Sequence, residues 1–400
     1  MRLRTLNDKH DWRGLRVLVR ADLNVPLASR GRAGMGVAAD GEARLAAAAP
    51  TVEHLASRGA RVIVLSHLGR PAGWDELLSL KPVARRFAFL LGRKAMFIDA
   101  SLEDEAAVER SLAKLKDGEV AVLENIRFYR GEEKNNPFFA RRLASLADVF
   151  VNDAFATAHR VHASTVGVAG LLPSYAGLLM AKELAELSRI LHKPKRPLVA
   201  LVGGKKIETK LPMLENLLRL ADKVLVGGAM ANNFFRAQKF PVGRSVISPA
   251  DVALAKKLLK KRALVIPIDV LVANEIGIDA RVRVTTPDQV RPGEYIVDIG
   301  PETVRRYARI LKEAATIVWN GPVGLFENPR FRHGTVALGR VIAARSTGRA
   351  YGAVGGGETI AALALTGMAE HVDHVSTGGG AMLEFLSGKV LPGVKSLLKK

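Results

Sequence analysis

Short apolar runs, each followed by a polar or glycine-rich loop and then a helical pattern, recur along the whole chain and limit the folds open to it. The run at residues 198–202, Leu-Val-Ala-Leu-Val, contains no polar residue. Such a run is typical of a strand that is buried on both faces of a parallel sheet. Strand, loop and helix in repeated order predict parallel βαβ units with right-handed crossovers. The loops that follow the strands should therefore gather at one edge of each sheet.

The pattern occurs in two halves of similar size. The predicted strands of the first half are residues 17–19, 61–65, 120–123 and 149–151, and its predicted helices are 44–55, 83–91 and 137–146. The predicted strands of the second half are residues 198–202, 223–226, 264–266, 316–319, 350–354 and 374–376. Between the halves lie a helical stretch at 177–191 and the sequence Lys-Pro-Lys-Arg-Pro at 193–197. We therefore predict an α/β protein of two doubly wound, parallel-sheet (Rossmann-like) domains, 1–176 and 193–388, joined by a hinge helix at 177–192.

The charge of the chain is strongly positive. Its 400 residues include 60 Lys and Arg against 39 Asp and Glu, a formal net charge of +21. This balance favours anionic partners such as phosphates, carboxylates, nucleic acids or an anionic membrane surface. The absence of cysteine excludes disulfides and thiolate chemistry. No long apolar segment is free of charges, and the first residues lack the apolar core of a signal peptide, so we expect a cytoplasmic protein.

Polar side chains follow the predicted strands of the first half. They are Asp22, Asn24, Arg44, His67, Arg70, Arg127 and Arg160. Each arginine alone could be a solvated tip or part of a structural ion pair. Because a guanidinium binds carboxylate or phosphate at two points, arginines gathered at one edge of a sheet predict a site for a small, highly charged anion. His159 and His162 fit neither a zinc-finger pair nor one helix face, so we do not expect a metal there.

Glycines and lysines follow the predicted strands of the second half. Gly203 and Gly204 end one strand, and the lysines after them, Lys205, Lys206 and Lys210, form either an anion site or a solvated basic loop. The glycine runs 355–357 and 378–380 each precede a helix, where backbone amides can form a nest for an anion. Glu358 either complements the helix dipole or reaches a cation on bound phosphates. The chain contains neither a P-loop motif nor a protein-kinase catalytic loop.

Nine stretches, taken together, resemble one family. They are residues 20–26, 66–71, 124–130, 152–167, 203–210, 298–303, 319–327, 355–359 and 374–392. The last, His-Val-Ser-Thr-Gly-Gly-Gly-Ala-Met-Leu-Glu-Phe-Leu-Ser-Gly-Lys-Val-Leu-Pro, is the most specific. On these residues the chain resembles phosphoglycerate kinase along its whole length. The resemblance implies a reversible phosphoryl transfer, in glycolysis and gluconeogenesis, from 1,3-bisphosphoglycerate to ADP, giving 3-phosphoglycerate and ATP. It also implies Mg²⁺, closure of two domains about a hinge and a monomer, with neither nucleic acid nor a membrane as partner.

The resemblance also implies roles for individual residues. The first domain would bind phosphoglycerate through Asp22, Asn24, Arg44, His67, Leu68, Gly69, Arg70, Arg127 and Arg160, and the tail at 389–400 would return to this domain. The second domain would bind the nucleotide through Lys206, Lys210, Asn320, Pro322, Gly324, Leu325, Glu327, Gly356, Gly357, Glu358 and Thr359. The catalytic groups would be Arg44, Lys210, Gly356 and Gly379. Glu358 would hold Mg²⁺ directly or through water.

The sequence departs from the usual family pattern at four positions. Ala229 and Ile296 stand where the family commonly has glycine, which leaves the preference for the nucleotide base open. Glu358 replaces a more usual aspartate and Met382 a common serine. Two rival hypotheses are a basic nucleic-acid binder on a kinase fold and a different small-molecule phosphotransferase. Against the first, Lys and Arg are spread along the chain without an aromatic-interleaved basic stripe.

Overall fold

The chain divides into two compact units. A computed structural model describes residues 2–27, 41–205 and 207–399. Unit 1 comprises Met1–Ala185 together with Val390–Lys400, and unit 2 comprises Glu186–Lys389. The division falls inside a helix, Leu178–His192, which therefore contributes residues to both units.

Unit 1 is built on a parallel sheet. Its strands are β1 (Arg16–Arg20), β2 (Arg61–Leu65), β3 (Ala95–Ile98), β4 (Val120–Leu123), β5 (Val149–Asn152) and β6 (Ser174–Ala176). Its first helices are α1 (Glu42–Ala56), α2 (Lys81–Leu91), α3 (Glu105–Leu112) and α4 (Pro137–Ala144), and they are followed by the shared helix α5 (Leu178–His192). The strand order is β3-β4-β2-β1-β5-β6, and every neighbouring pair is parallel. Because β1 is central, its last residue pairs with the last residues of both β2 and β5.

The two faces of this sheet bury different apolar clusters. Val17 and Val19 of β1 belong to the cluster that includes Leu55 of α1. Leu18, between them, belongs to the opposite cluster with Ile63 of β2. All are fully buried, as expected where helices cover both faces of a parallel sheet. This burial fixes the strand register, and with it the position of the loop that follows each strand.

Unit 2 contains a second parallel sheet and a small antiparallel one. Its strands are β7 (Leu198–Val202), β8 (Lys223–Val226), β9 (Leu264–Val265), β10 (Val270–Ala273), β11 (Val282–Thr285), β12 (Tyr295–Ile299), β13 (Thr316–Asn320), β14 (Tyr351–Gly355) and β15 (His374–Ser376). Its helices are α6 (Leu211–Leu220), α7 (Ala229–Ala237), α8 (Pro249–Leu258), α9 (Pro301–Glu313), α10 (His333–Ser346), α11 (Gly357–Ala364) and α12 (Gly379–Leu386), whereas α13 (Pro392–Lys395) lies in unit 1. The parallel sheet has the order β15-β14-β13-β7-β8-β9, and β10 pairs with β11 and β12 in the antiparallel sheet.

The predicted fold class is confirmed: both units contain a parallel α/β sheet. The sequence did not predict β3, β6, α3 or the antiparallel sheet. β3 is an edge strand that is only partly buried, and β6 has three residues. β11 is half exposed, so it lacks the continuous apolar run that marks a buried parallel strand. Among the described residues, no helix combines the length and apolar character needed to cross a bilayer.

Candidate active site

The first candidate site is a pocket at the carboxyl edge of the unit 1 sheet, which we call the arginine pocket. It has a volume of about 250 Å³. Its lining residues are Asp22, Asn24, Arg44, His67, Gly69, Arg70, Arg127, Ala156, Thr157 and Arg160. The structure thus brings together every substrate-binding residue predicted for unit 1 except Leu68. The side chain of Leu68 is buried, and its backbone N–H donates to Asn125 Oδ1 at 3.1 Å.

An acidic side chain holds one arginine at the arginine pocket. Asp22 Oδ2 accepts a hydrogen bond from Arg44 Nη1 at 2.9 Å. Its other oxygen accepts from the Asn24 backbone N–H at 3.1 Å, and Asn24 Oδ1 accepts from the Gly69 N–H at 2.9 Å. The bond from Asn24 to Gly69 joins the loops that follow β1 and β2, and the bond to Asp22 holds the Arg44 guanidinium at the pocket.

The remaining arginines of the pocket differ in whether they already form hydrogen bonds or ion pairs with the protein. Arg127 donates to the Gly69 carbonyl and lies 3.2 Å from Glu133 in an ion pair. Arg70 and Arg160 form no ion pair within the described part of the chain. Two guanidinium groups at the pocket therefore remain available to an anion, and the pocket carries an excess of positive charge.

His67 is neutral in this setting. Burial, and after it the charges of Arg20 and Arg127, lower the pKa of His67 well below its usual range. Arg20 Nη2 lies 3.0 Å from His67 Nδ1. Because a guanidinium can only donate, Nδ1 must accept, and the ring proton therefore lies on Nε2. His67 can offer that N–H to an anion without carrying charge itself.

Arg20 positions His67 at the arginine pocket, and the sequence did not predict this role. It is the last residue of β1, its side chain is buried, and its Nε donates to Ser164 Oγ at 3.0 Å. Ser164 Oγ donates in turn to the buried Glu132 at 2.6 Å. A charged residue at the end of an apolar strand is the indication that the sequence offers, since burial of a charge requires partners.

The second candidate site is a pocket at the carboxyl edge of the unit 2 sheet, which we call the glycine pocket. It is lined by Gly204, Lys205, Gly228, Ala229, Ala231, Phe235, Pro267, Val270, Ile296, Val297, Asp298, Ile299, Pro322, Val323, Gly324, Leu325, Glu327 and Glu358. Five of the predicted nucleotide-binding residues are among them: Pro322, Gly324, Leu325, Glu327 and Glu358. Ala229 and Ile296, the two departures near the predicted base site, line it as well. The prediction for Lys206 lies outside the described residues.

Lys210 lies behind the glycine loops of this pocket. Its ammonium donates to the Gly203 carbonyl at 2.8 Å and to Asn320 Oδ1 at 2.7 Å. Burial lowers the pKa of Lys210 to about 8, and the nearby Glu358 carboxylate acts in the opposite direction. The ammonium is therefore mostly charged at neutral pH, and it is positioned by two oxygens that strand ends supply.

Two helix amino termini meet beside this lysine. Gly356 has φ +100°, and a Cβ there would lie 3.1 Å from Asn320 Nδ2 and 3.2 Å from Thr359 Oγ1. A Cβ on Gly379, the first residue of α12, would lie 3.6 Å from Gly356 Cα. Gly357, the first residue of α11, faces open space. The predicted catalytic glycines are thus neighbours, and their close approach leaves backbone amides uncovered for an anion.

A buried aspartate of the glycine pocket was also missed. Asp298, near the end of β12, accepts hydrogen bonds from the Gly334 N–H at 2.7 Å and the Ile299 N–H at 2.9 Å. Burial raises the pKa of Asp298 to about 7. Asp298 lies in the stretch 298–303, on which the family resemblance rests, but the sequence does not predict its burial, because it does not predict the antiparallel sheet that carries this residue.

Comparisons with known proteins agree on one family. The family model described as "Phosphoglycerate kinase" matches residues 6–389. The phosphoglycerate kinase of Moorella thermoacetica is 48% identical over 391 residues, which cover 96% of each chain. The chloroplastic phosphoglycerate kinase of Volvox carteri is 44% identical over 399 residues, covering 98% of this chain and 85% of the relative.

Solved structures give the same result. Phosphoglycerate kinase from Coxiella burnetii superposes with a TM-score of 0.86 at 40% identity, covering 99% of this chain and 98% of the other. The enzyme from Pyrococcus horikoshii OT3 superposes with a TM-score of 0.84 at 33% identity, with the same coverage of 99% and 98%. The match extends over both units, and the chain belongs to the phosphoglycerate kinase family of enzymes.

Proposed function

We propose that this chain catalyses the reversible transfer of a phosphoryl group from 1,3-bisphosphoglycerate to ADP, giving 3-phosphoglycerate and ATP, as a step of glycolysis and gluconeogenesis. The observation that carries the proposal is the arginine pocket of about 250 Å³, where four arginines and a neutral histidine line one small space. A substrate with a phosphate at one end and a carboxylate at the other suits such a pocket, because each end can be bound by a guanidinium fork.

The contacts within the arginine pocket suggest which group of the substrate each of its residues binds. Arg70 and Arg160, without ion pairs in the described ranges, would bind the phosphate or carboxylate of the glycerate. Arg44 is held by Asp22 and is only partly buried, with 37% of its side chain exposed. It would reach the carboxyl oxygen at which transfer occurs. His67 would donate its Nε2 proton to an anionic oxygen.

The transfer itself needs no general base. In the ATP-forming direction an ADP phosphate oxygen, already ionised, forms a bond to the phosphorus, and the bond from phosphorus to the carboxyl oxygen breaks. The products are ATP and the carboxylate of 3-phosphoglycerate, and no proton moves. Catalysis therefore rests on positioning and charge neutralisation, for which the candidates are Arg44, Lys210 and the amides of Gly356 and Gly379.

The glycine pocket fits a Mg²⁺ ion that arrives with the nucleotide. The described residues contain no group of three or more side chains able to hold a metal by themselves. Glu358 lines the pocket and would hold the ion, directly or through water, while phosphates and water supply the other ligands, which is the usual mode for Mg²⁺. Bound Mg²⁺ would neutralise part of the phosphate charge.

The two substrates must meet and water must be excluded, because an acyl phosphate is easily hydrolysed. We include in the proposal that the phosphoglycerate-binding domain, 1–176 with the tail 389–400, and the nucleotide-binding domain, 193–388, close about a hinge helix at 177–192. A cytoplasmic monomer is the form in which we expect the enzyme to work. Light scattering during chromatography would measure the oligomeric state.

A coupled assay of 3-phosphoglycerate phosphorylation by ATP and Mg²⁺ tests the proposal. We expect turnover with 3-phosphoglycerate and none with other phosphorylated acids of similar size. 3-Phosphoglycerate should also raise the melting temperature when nucleotide is absent, because it binds a preformed pocket. A folded protein without this turnover would contradict the proposal, and turnover of another acid in its place would assign a different phosphotransferase.

A further inference from the structure

Unit 2 contains a basic depression at the amino edge of its parallel sheet, which is the edge opposite to the glycine pocket. This cavity has a volume of about 330 Å³. Its lining residues are Arg189, Lys193, Pro194, Lys195, Ala315, Thr316, Gly348, Arg349, Ala350, Tyr351 and Asp373. They come from the end of α5 and its following loop, from the start of β13 and from the turn before β14. We call it the basic cavity.

Most of the cations at the basic cavity are not neutralised. Lys193, Lys195 and Arg349 are exposed and form no ion pair within the part of the chain that the structure describes. Arg189 is partly used, since it lies 3.0 Å from Glu186 and its guanidinium stands 4.3 Å from the centre of the Tyr351 ring. The carboxylate that lines the cavity, Asp373, accepts the Gly352 N–H at 2.8 Å. The cavity therefore holds several free positive charges around one partnered carboxylate.

The basic cavity is held in shape by hydrogen bonds beneath it. The buried Thr316 donates its hydroxyl to the Lys195 carbonyl at 2.7 Å. The Pro197 carbonyl accepts the backbone N–H groups of Ala315 and Thr316 at 2.9 and 3.1 Å. Tyr351 donates its hydroxyl to Glu186 at 2.9 Å. The loop that carries two of the lysines is thus fixed to the sheet before any ligand arrives, which lowers the ordering cost of binding.

A second, more open depression adjoins the basic cavity and shares Arg349 with it. It has a volume of about 830 Å³ and is lined by Lys312, Arg340 and Arg345 among others. Arg345 donates to the Ala314 carbonyl at 2.9 Å, so one of these cations is partly engaged. Through the shared Arg349 the two depressions form a track with more cations than a single phosphate needs.

We propose that the basic cavity binds a small oligophosphate, of which inorganic triphosphate is the simplest. Lysine and arginine around a concave site suit phosphate oxygens, and several phosphates in a row would use the whole track. The site is separate from the glycine pocket. β13 begins at Thr316 in the basic cavity and ends at Asn320, whose side chain accepts from Lys210, so the strand rise sets these two ends ~13 Å apart.

The test is calorimetric titration with inorganic triphosphate in the absence of Mg²⁺ and in the presence of saturating 3-phosphoglycerate, which occupies the arginine pocket. The variant Lys193→Gln/Lys195→Gln/Arg349→Gln is compared with a matched control, Lys256→Gln/Lys257→Gln/Lys260→Gln, which removes the same charge from exposed positions in and after α8. We expect two sites in the wild type and the control, one of them surviving Lys210→Ala. The cavity variant should lose that site or bind there at least about 10-fold more weakly. Its turnover should match that of the control, which shows that it is folded.

Three results would overturn the proposal. Equal affinity in the two triple variants would attribute binding to net charge alone. A single wild-type site from which ADP displaces all triphosphate would assign the binding to the glycine pocket. A single-stranded RNA that displaces triphosphate and binds the cavity residues more tightly would assign the track to a macromolecule.

Discussion

The arginine pocket and the glycine pocket both lie at the carboxyl edge of a parallel sheet, yet they offer charge by different means. The arginine pocket uses side chains, including Arg70 and Arg160, that project from loops. Beside the glycine pocket lie one partly buried ammonium, Lys210, and the closely packed backbone of Gly356 and Gly379. Forked side chains suit a small acid that must be recognised at both ends, whereas backbone amides suit the phosphates of a larger ligand that apolar walls bind elsewhere.

This difference determines how each pocket should respond to substitution. A guanidinium on an exposed loop can be removed without changing its neighbours, so substrate binding and stability are separable in the arginine pocket. In the glycine pocket the groups that would bind phosphate also hold the strand ends together, as the Asn320 side chain does when it donates to the Gly355 carbonyl at 2.7 Å. Single changes there should affect both activity and packing.

The largest effect is expected from Lys210→Ala. Lys210 is a proposed source of positive charge for the transferring group, so loss of its ammonium should lower kcat by about 10²–10⁴-fold, equivalent to roughly 3–5 kcal/mol of barrier. Lys205→Ala is the control for kcat only: this exposed lysine lines the glycine pocket, so its loss should raise the KM for ATP and change kcat less than about 3-fold. Steady-state kinetics with both substrates varied would measure this. Equal loss in the two variants would mean that the loop's charge matters, not the position of Lys210.

Arg160→Gln should affect one substrate only. It removes from the arginine pocket a guanidinium that has no ion pair among the described residues, so the KM for 3-phosphoglycerate should rise by about 10–100-fold while the KM for ATP stays constant. Arg130→Gln changes an exposed arginine outside the pocket and serves as the control. A parallel rise in both KM values would show that the two pockets do not act on separate substrates.

Gly356→Ala and Gly357→Ala should separate backbone strain from ligand contact. The first places a Cβ on a residue at φ +100° and within 3.2 Å of two side-chain atoms, so it should lower both stability and kcat/KM for ATP, the latter by about 10-fold. The second adds a Cβ into open space and should leave the melting temperature unchanged. Any loss of ATP affinity in Gly357→Ala would then report contact with the nucleotide. A stable and fully active Gly356→Ala would contradict the proposed amide nest.

The smallest predicted effect is a pH dependence. Because the Lys210 pKa is about 8, the ammonium is protonated below this pH and loses its charge above it. The kcat/KM for ATP should therefore fall about fourfold between pH 7 and pH 8.5, and Lys210→Ala should lack this decline. The neutral His67 titrates well below this range and adds nothing to it. A decline of the same size in the Lys210 variant would assign the titration to another group.

Much of the fold follows from the sequence because parallel strands are buried on both faces and leave continuous apolar runs. β7 is the clearest case, with Leu198–Val202 buried throughout. β11 could not be predicted in this way, because it is half exposed and the strand that pairs with it decides its structure. β6 is too short to leave a pattern.

The composition of the arginine pocket was predictable because sheet topology gathers the residues after each strand. The roles of Arg20 and Asp298 were not predictable, because both lie within strands and their importance comes from burial and from distant partners. Arg20 meets Ser164, and Asp298 meets Gly334, only after the chain has folded. Sequence spacing indicates which loops share an edge of the sheet, but it does not indicate which charges tertiary packing will bury.

The most direct test of the central claim, one pocket for each substrate, is hydrogen–deuterium exchange with each ligand added alone. We predict that 3-phosphoglycerate protects the backbone at residues 66–70 and 125–130 most strongly, and that ATP with Mg²⁺ protects residues 203–205 and 355–359. Protection of residues 66–70 by ATP, or of residues 355–359 by 3-phosphoglycerate, as the main response would contradict it.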